Sequence, residues 1–298
     1  MSWKNLTWFA IAVLIIINSI FAITVFIDYR NNNYYDASSI SEITEILSSS
    51  GITLDSENFP TRRVSLPVYN LPNSFYALGR AADALTGEKT ETSGSAYTVE
   101  GDSGIFTLNG DFTFEYVDIS YDGIGDEAGE KVTDKAELKQ LSSTALSFVD
   151  AMTAAANEES RQSAADLSYG VDDVYRIDDG VYTATIYEYI DTYKTVNTIN
   201  VVVAAGKVVF ADGSIMFALP TNKYSANNYE LFGILIKEKR YFDSAENAVP
   251  MTISSIEYIY DMCFDVFDNI YLIPACAITY TDGTVHIYDI VSSDLISE

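Results

Sequence analysis

Few residues of this chain could carry out covalent chemistry. It has one histidine, His286, and two cysteines, Cys263 and Cys276. A nucleophile needs a base beside it, and His286 is the only imidazole available for that role. It lies in an alternating run, on the face opposite Val285 and Ile287, where a lone histidine is usually structural. We therefore expect no nucleophilic active site.

Acidic residues are the other source of chemistry. Adjacent carboxylates such as Asp172 and Asp173 could act as general acid and base. With 43 acidic residues in the chain, close pairs are expected by chance, and a solvated face is the better interpretation. Residues 118–123 have the start of a calcium loop, but Gly129 occupies the twelfth position, where a bidentate acid belongs. The sequence has no nucleophile elbow, Walker loop or dinucleotide fingerprint. We predict no catalytic residues, no cofactor and no metal site.

The two cysteines allow two interpretations. On the two strands of a hairpin, Cys263 and Cys276 could form a disulfide in an oxidising compartment. Alternatively they are buried thiols that pack as small apolar side chains, which we favour.

The charge of the chain limits its partners. The formal net charge is −26. Such a surface repels nucleic-acid phosphates and anionic lipid headgroups. Nucleic acid is therefore excluded as an expected partner, and any contact with a membrane has to come from a dedicated segment.

The uncharged run from Leu6 to Ile27 is the candidate for such a membrane-contacting segment. About 20 apolar residues span the hydrocarbon core of a bilayer, so the run predicts a transmembrane helix. The residues expected to anchor it are Leu6, Trp8, Phe9, Leu14, Ile17, Phe21, Val25 and Ile27.

Three polar side chains in this run, Asn18, Ser19 and Thr24, are candidates for contact with a partner helix. The alternative is that a simple anchor tolerates them. A cleaved signal peptide is disfavoured, because the run is longer than its usual apolar core and no small-residue cleavage site follows. Lys4 before the run orients the N-terminus toward the cytoplasm. We expect a single-pass cell-membrane protein with its bulk extracellular.

The remaining sequence predicts an α+β fold rich in antiparallel sheet. Helices are predicted over 133–157, with Asp134 or Thr133 as the cap, and over 227–239, and Asn109-Gly110 and Asp282-Gly283 predict hairpin turns. The order of a helix followed by several strands occurs twice, which predicts two similar helix-on-sheet modules. The predicted organisation is a cytoplasmic stub and anchor (1–30), a juxtamembrane helix and linker strand (31–71), a first module (72–130) and a second module with C-terminal strands (131–298). The tyrosine-rich run with Tyr182, Tyr187, Tyr189 and Tyr193 could form a binding face, but ordinary sheet packing is the simpler interpretation.

Short motifs at both ends resemble one protein family. Met1-Ser2-Trp3-Lys4 before an apolar helix, the run from Ile46 to Ile52, and Pro60 are similar to the start of YycI. Four further stretches resemble the closing strands of that family: Ile253–Tyr260, Leu272–Ile278, Asp282-Gly283 and Tyr288. Related PepSY-like modules often have an aromatic residue where this chain has Cys276.

The resemblance implies a YycI/YycH-like regulatory protein of the WalK/WalR (YycG/YycF) two-component system, within a broader YycH/YycI/PepSY-like group. It implies a non-enzymatic accessory regulator whose partners are a membrane sensor histidine kinase and a YycH-like companion, contacted through the transmembrane helix and the ectodomain. The alternative is an extracytoplasmic ligand-binding or inhibitor module that binds peptides or cell-wall polymers.

Overall fold

The computed structural model describes residues 14–27, 33–71, 75–88, 96–110, 113–121, 123, 129–156, 166–214, 220, 222–225, 231–244, 249–264 and 269–297. The chain forms two compact units, each assembled from distant segments. Unit 1 contains Met1–Leu66, Asn227–Glu257 and Cys276–Glu298. Unit 2 contains Pro67–Ala226 and Tyr258–Ala275.

Besides the helical residues 14–27, the described chain contains the helices α1 (Ala37–Ser48), α2 (Phe75–Thr86), α3 (Lys135–Ala156) and α4 (Leu231–Ser244). The strands are β1 (Ile52–Leu54), β2 (Val68–Leu71), β3 (Tyr97–Gly101), β4 (Gly104–Leu108), β5 (Thr113–Asp118), β6 (Glu130–Lys131), β7 (Leu167–Asp178), β8 (Val181–Ile190), β9 (Tyr193–Ala204), β10 (Lys207–Ser214), β11 (Asn222–Tyr224), β12 (Met251–Phe264), β13 (Ile270–Tyr280), β14 (Val285–Asp289) and β15 (Leu295–Ser297). A short 3₁₀ turn covers Ser56–Asn58.

Unit 2 is built on an antiparallel sheet in the order β6-β7-β8-β9-β10-β5-β4-β3. Its hairpins follow the local turn signals. Ala205 and Gly206, for example, have φ values of 50° and 79° between β9 and β10, as a tight hairpin turn requires. Beyond the end of β10, Thr195 of β9 pairs in parallel with Tyr260 of β12.

Helices α2 and α3 pack together and against this sheet. Helix α3 begins at Asp134, whose carboxylate accepts the backbone N–H groups of Ala136 (3.0 Å) and Glu137 (2.8 Å), as an N-cap does. Its buried stripe recurs every three or four residues, at Leu141, Ala145, Val149 and Met152. The stripe covers the inward face of the strands and forms the core of the unit.

Unit 1 has a smaller mixed sheet in the order β1-β12-β13-β14-β15. Strand β1 runs parallel to the start of β12, with Ile52 opposite Met251. Helix α1 packs against β1 and α4, and buries Ile40, Ile43 and Leu47. Asp36 caps α1 by accepting the backbone N–H of Ser39 at 2.9 Å.

The predicted pair of helix-on-sheet modules is wrong. Strand β5, from the predicted first module, pairs with β10, from the second, with Val117 opposite Phe210. One sheet therefore continues through both stretches of sequence, and α2 and α3 share its inward face. The strand pairing is rich in antiparallel ladders but mixed, because β1 and β9 each pair in parallel with β12.

The predicted transmembrane helix is a second correction. Among the described residues, no helix combines the length and the apolar character needed to cross a membrane. Residues 14–27 of the predicted segment are helical, and Leu6 to Val13 lie outside the described residues.

Candidate functional site

A buried carboxylate on α4 is the centre of the most concentrated polar site in unit 1. Helix α4 buries Leu231, Ile234, Leu235, Glu238 and Phe242 on one face. Four of these are apolar, and Glu238 occupies the same stripe at an exposed fraction of 0%. A buried charge needs partners, because its desolvation is costly.

Three side chains from the β13–β14 hairpin supply those partners. The Tyr280 hydroxyl donates to Oε1 of Glu238. Nδ1 of His286 lies 2.8 Å from the same oxygen, and the Tyr288 hydroxyl donates to Oε2 at 2.5 Å. The turn through Asp282 and Gly283 joins the two strands. We call Glu238, Tyr280, His286 and Tyr288 the Glu238 centre.

The electrostatics of the centre keep its neighbours protonated. Burial, reinforced by the hydrogen bond to the Glu238 carboxylate, raises the pKa of Tyr280. Burial, together with the Glu238 charge, raises the pKa of the Cys276 thiol to about 12. A thiol with that pKa is a poor nucleophile at neutral pH.

The Glu238 centre is closed to solvent. Tyr280, Tyr288 and His286 are exposed by 1%, 2% and 5%. The His286 ring also contacts the rings of Tyr241 (5.1 Å) and Tyr280 (5.4 Å) edge to face. The centre therefore clamps α4 onto the hairpin, and nothing in this geometry admits a substrate to its polar atoms.

Unit 2 has a comparable buried carboxylate. Glu188 of β8 is 2% exposed, and its Oε2 accepts from Nδ2 of Asn197 (2.9 Å) and Oγ1 of Thr195 (3.2 Å). Glu188 lies on the same inward face of its strand as Ala184, Ile186 and Ile190. This site also lies in the core, between the sheet and α3.

Sequence reasoning missed both buried carboxylates, although a signal was present. Glu238 occupies an apolar position of a 3.6-residue helical repeat, and Glu188 occupies an apolar position of a two-residue strand repeat. An acid at an inward position of either repeat predicts a buried, hydrogen-bonded carboxylate.

The acidic residues considered above as candidates for catalysis or calcium binding form ion pairs with lysine side chains. Asp172 accepts from Lys194 at 2.8 Å, and Asp173 pairs with Lys131. Both oxygens of Asp118 lie 2.8 Å from Nζ of Lys207. Burial opposes ionisation of Asp118, but the hydrogen bonds from Lys207 and Ser120 outweigh it and lower its pKa. Asp122 lies outside the described residues, and no cluster of metal-binding side chains occurs in the part of the chain that the structure describes.

The cysteines and the tyrosine run have ordinary surroundings. Cys263 is half-buried and Cys276 is buried, and no disulfide joins these two described residues. Tyr182 donates to Oε1 of Glu137 at 2.6 Å, and the Tyr187 ring lies 3.4 Å from Nζ of Lys194. Tyr193 contacts the ring of Tyr260. At least these three tyrosines are engaged in packing within unit 2.

The predicted anchor residues fall partly outside the described chain. Leu6, Trp8 and Phe9 lie outside it. The other predicted anchor residues, Leu14, Ile17, Phe21, Val25 and Ile27, are helical and exposed, as are the polar candidates Asn18, Ser19 and Thr24. The Thr24 hydroxyl donates to the carbonyl of Ile20 at 3.0 Å, within its own helix.

An open groove of about 680 Å³ lies beside α1 in unit 1. Its walls are one face of α1, from Ala37 to Ser48, and the end of β1 at Leu54 and Asp55. Glu45 and Asp55 give the groove an acidic character.

Comparisons with known proteins find only weak structural likeness. No protein-family profile and no curated protein matches the sequence. The crystal structure of an uncharacterized protein from Eubacterium rectale ATCC 33656 is 11% identical with a TM-score of 0.42, covering 83% of this chain and 91% of that one. The Bacillus megaterium YpeB C-terminal domain is 9% identical with a TM-score of 0.29, covering 77% of this chain and 100% of that one. Neither likeness is specific to YycI or YycH, and at these scores neither bears on function.

Proposed function

We propose that this chain is a non-enzymatic accessory regulator that acts by protein–protein contacts, with a sensor histidine kinase of the cell envelope as its partner. The motif resemblance to YycI and YycH motivates the partner. One observation from the fold supports the proposal: parts of two segments that bear the resemblance, far apart in sequence, meet in unit 1. The run from Ile46 to Ile52 ends in β1, which pairs with β12 where the Ile253–Tyr260 stretch begins.

The burial and hydrogen bonding of the residues that could do chemistry in unit 1 support a regulator rather than an enzyme. In unit 1 the single histidine and the buried carboxylate are hydrogen-bonded to each other, and the Cys276 thiol beside them is buried and protonated. These groups stabilise a core. A protein-binding role requires only the surfaces of the two units.

Affinity purification from the native host tests the proposal. The tagged full-length chain is crosslinked in living cells, purified, and its partners identified by mass spectrometry, with an unrelated tagged protein of similar charge as control. We expect a sensor histidine kinase to be enriched, and deletion of the chain to change expression of the genes that this kinase controls. Absence of any such kinase, with unchanged expression, would overturn the proposal.

The groove beside α1 favours a second candidate, a ligand-binding module of the PepSY-like kind. An acidic, open groove suits an extended ligand with basic side chains. Titration of the full chain with basic peptides and with soluble cell-wall fragments tests this role. Saturable binding that Glu45→Lys abolishes would support this role. Binding that is unaffected by the substitution would show that the groove is not the binding site.

A further inference from the structure

The outward face of the unit 2 sheet has an apolar row that crosses six strands. The register places Tyr175 beside Thr183, Thr183 beside Val202, and Val202 beside Phe210. The row continues through Val117 and Ile105. Five inter-strand spacings of about 4.8 Å make it about 24 Å long.

This row is open to solvent at both ends. Ile105 is 39% exposed and Tyr175 is 36% exposed. Helices α2 and α3 pack on the inward face, where Phe106, Tyr116 and Val201 are buried. Near the centre, the Tyr121 ring stacks on Phe210 at 5.4 Å. Val202 is 8% exposed and Thr183 is the one polar member of the row, so the apolar surface open to a partner lies toward its two ends. Apolar surface left exposed on an outer face is typical of an interaction site.

The neighbouring row on the same face is polar and contains two facing acids. Asp212 of β10 lies opposite Glu115 of β5, and like charges directly opposite each other destabilise a sheet. Asn200 is the cross-strand neighbour of Asp212 on its other side. Among the described residues, no Lys or Arg forms an ion pair with either acid. Burial raises the pKa of Asp212 more than its hydrogen bond with Asn200 lowers it.

We propose that this face docks a segment of a partner protein whose apolar side chains cover the row from Tyr175 to Ile105, and whose Lys or Arg side chains neutralise Asp212 and Glu115. A basic partner removes the repulsion between the two acids. A second copy of this chain is the poorer occupant, since a symmetric contact would bring acid against acid in a chain of net charge −26. The proposal rests on the proposed function only in assuming that the chain acts through protein contacts.

Photo-crosslinking in the native host tests this surface. A photoreactive phenylalanine analogue replaces Ile105 or Tyr175 in the full chain, and the exposed Asp102 in a control. We expect the first two positions, and not the control, to capture one protein through a segment that carries both apolar and basic residues. Captured copies of the chain itself, or equal capture from all three positions, would overturn the proposal.

A charge exchange then examines the specificity. A synthetic peptide with the captured sequence is titrated into the wild-type chain and into the Glu115→Lys variant. We expect at least a tenfold weaker affinity for the variant, with recovery when the facing basic residue of the peptide becomes Glu. Equal affinities for both chains would overturn the proposed role of the acids.

The two proposals fail in different ways. If the captured protein is not a kinase, the surface stands and the kinase proposal loses its partner. If affinity purification recovers a kinase but neither Ile105 nor Tyr175 crosslinks to any protein, the regulator stands and this surface is wrong.

Discussion

At the scale of single residues, the buried Glu238 contributes to the stability of unit 1. Its carboxylate accepts from Tyr280 and Tyr288 and lies 2.8 Å from Nδ1 of His286. If one partner of such a buried group is removed, the group that is left unpaired bears the full cost of its desolvation. The same reasoning applies to Glu188 in unit 2, which has two donors from β9.

We predict that Glu238→Gln lowers the free energy of unfolding by about 1–3 kcal/mol, because the amide nitrogen replaces an acceptor with a donor and leaves one hydroxyl or ring N–H unpaired. Urea denaturation measures the change. Glu257→Gln, at an exposed position of β12, is the matched control and should stay within about 0.5 kcal/mol of the wild type. Equal effects of the two substitutions would show that the Glu238 centre contributes nothing specific.

Cys276 gives a prediction for pH. Its pKa rises from 9.0 to about 12 in the folded chain, so folding favours the protonated thiol. The associated stability is complete below pH 9 and falls as pH rises toward 12. Between pH 8 and pH 10 the wild type should lose about 1.4 kcal/mol more than Cys276→Ala.

Denaturant unfolding at the two pH values measures this difference, and the titration of tyrosines common to both chains cancels in the comparison. Parallel pH profiles for the wild type and Cys276→Ala would contradict the prediction.

At the scale of secondary structure, local sequence signals explain the helices and hairpins. The capping residue and apolar repeat predict α3 from sequence, with its start near Asp134. Helix α4 is predicted over 227–239; residues 227–230 lie outside the described chain, and the described helix continues past Lys239 to Ser244. Its end differs from the prediction because tertiary packing extends a helix beyond the residues whose propensity is clear. The short strands β6 and β15 have no pattern of their own and form only by pairing with β7 and β14.

The cross-strand pair of Asp212 and Glu115 gives a prediction for the sheet. Glu115→Lys replaces a repulsion with an attraction, so we expect it to raise the free energy of unfolding by about 0.2–1 kcal/mol. Glu100→Lys, on β3 opposite Ile105, is the control and should have little effect. Chemical denaturation of the three chains at low salt compares them, and destabilisation by Glu115→Lys would contradict the like-charge explanation.

At the scale of the whole molecule, the dominant feature is the net charge of −26. Several exposed acids are paired, as Asp172 is with Lys194, but 17 basic side chains cannot neutralise 43 acidic ones. The excess repels itself and opposes the compact state.

We therefore predict that the melting temperature rises with ionic strength. Moving from about 0.01 M to about 0.1 M salt shortens the screening length from about 30 Å to about 10 Å, which weakens the repulsion between distant acids. Each 1 kcal/mol gained corresponds to about 2–4 °C. Differential scanning calorimetry measures the shift, and NaCl and KCl should act alike. A melting temperature that falls with salt would show that local ion pairs outweigh the net charge.

The sequence by itself determined the features that depend on neighbouring residues. The start of α3, the Asp282-Gly283 turn, and the alternation of β14 all follow from short-range geometry and are present in the described chain. The strands on either side of Asn109-Gly110 pair as predicted, whereas residues 111 and 112 of their connection lie outside the described residues. The acidity of the surface follows from composition alone. The sequence predicts a structural role for His286 but gives no sign of its partner, Glu238.

Only the tertiary structure decided which strands meet and which acids are buried. Pairing of β5 with β10, and of β1 and β9 with β12, joins residues far apart in sequence, and its free energy depends on every contact made at once rather than on any local pattern. For the same reason the sequence could not tell Glu238 and Glu188 from surface acids. A carboxylate can be buried only where folding brings its hydrogen-bond donors together, and those donors come from other elements or distant positions.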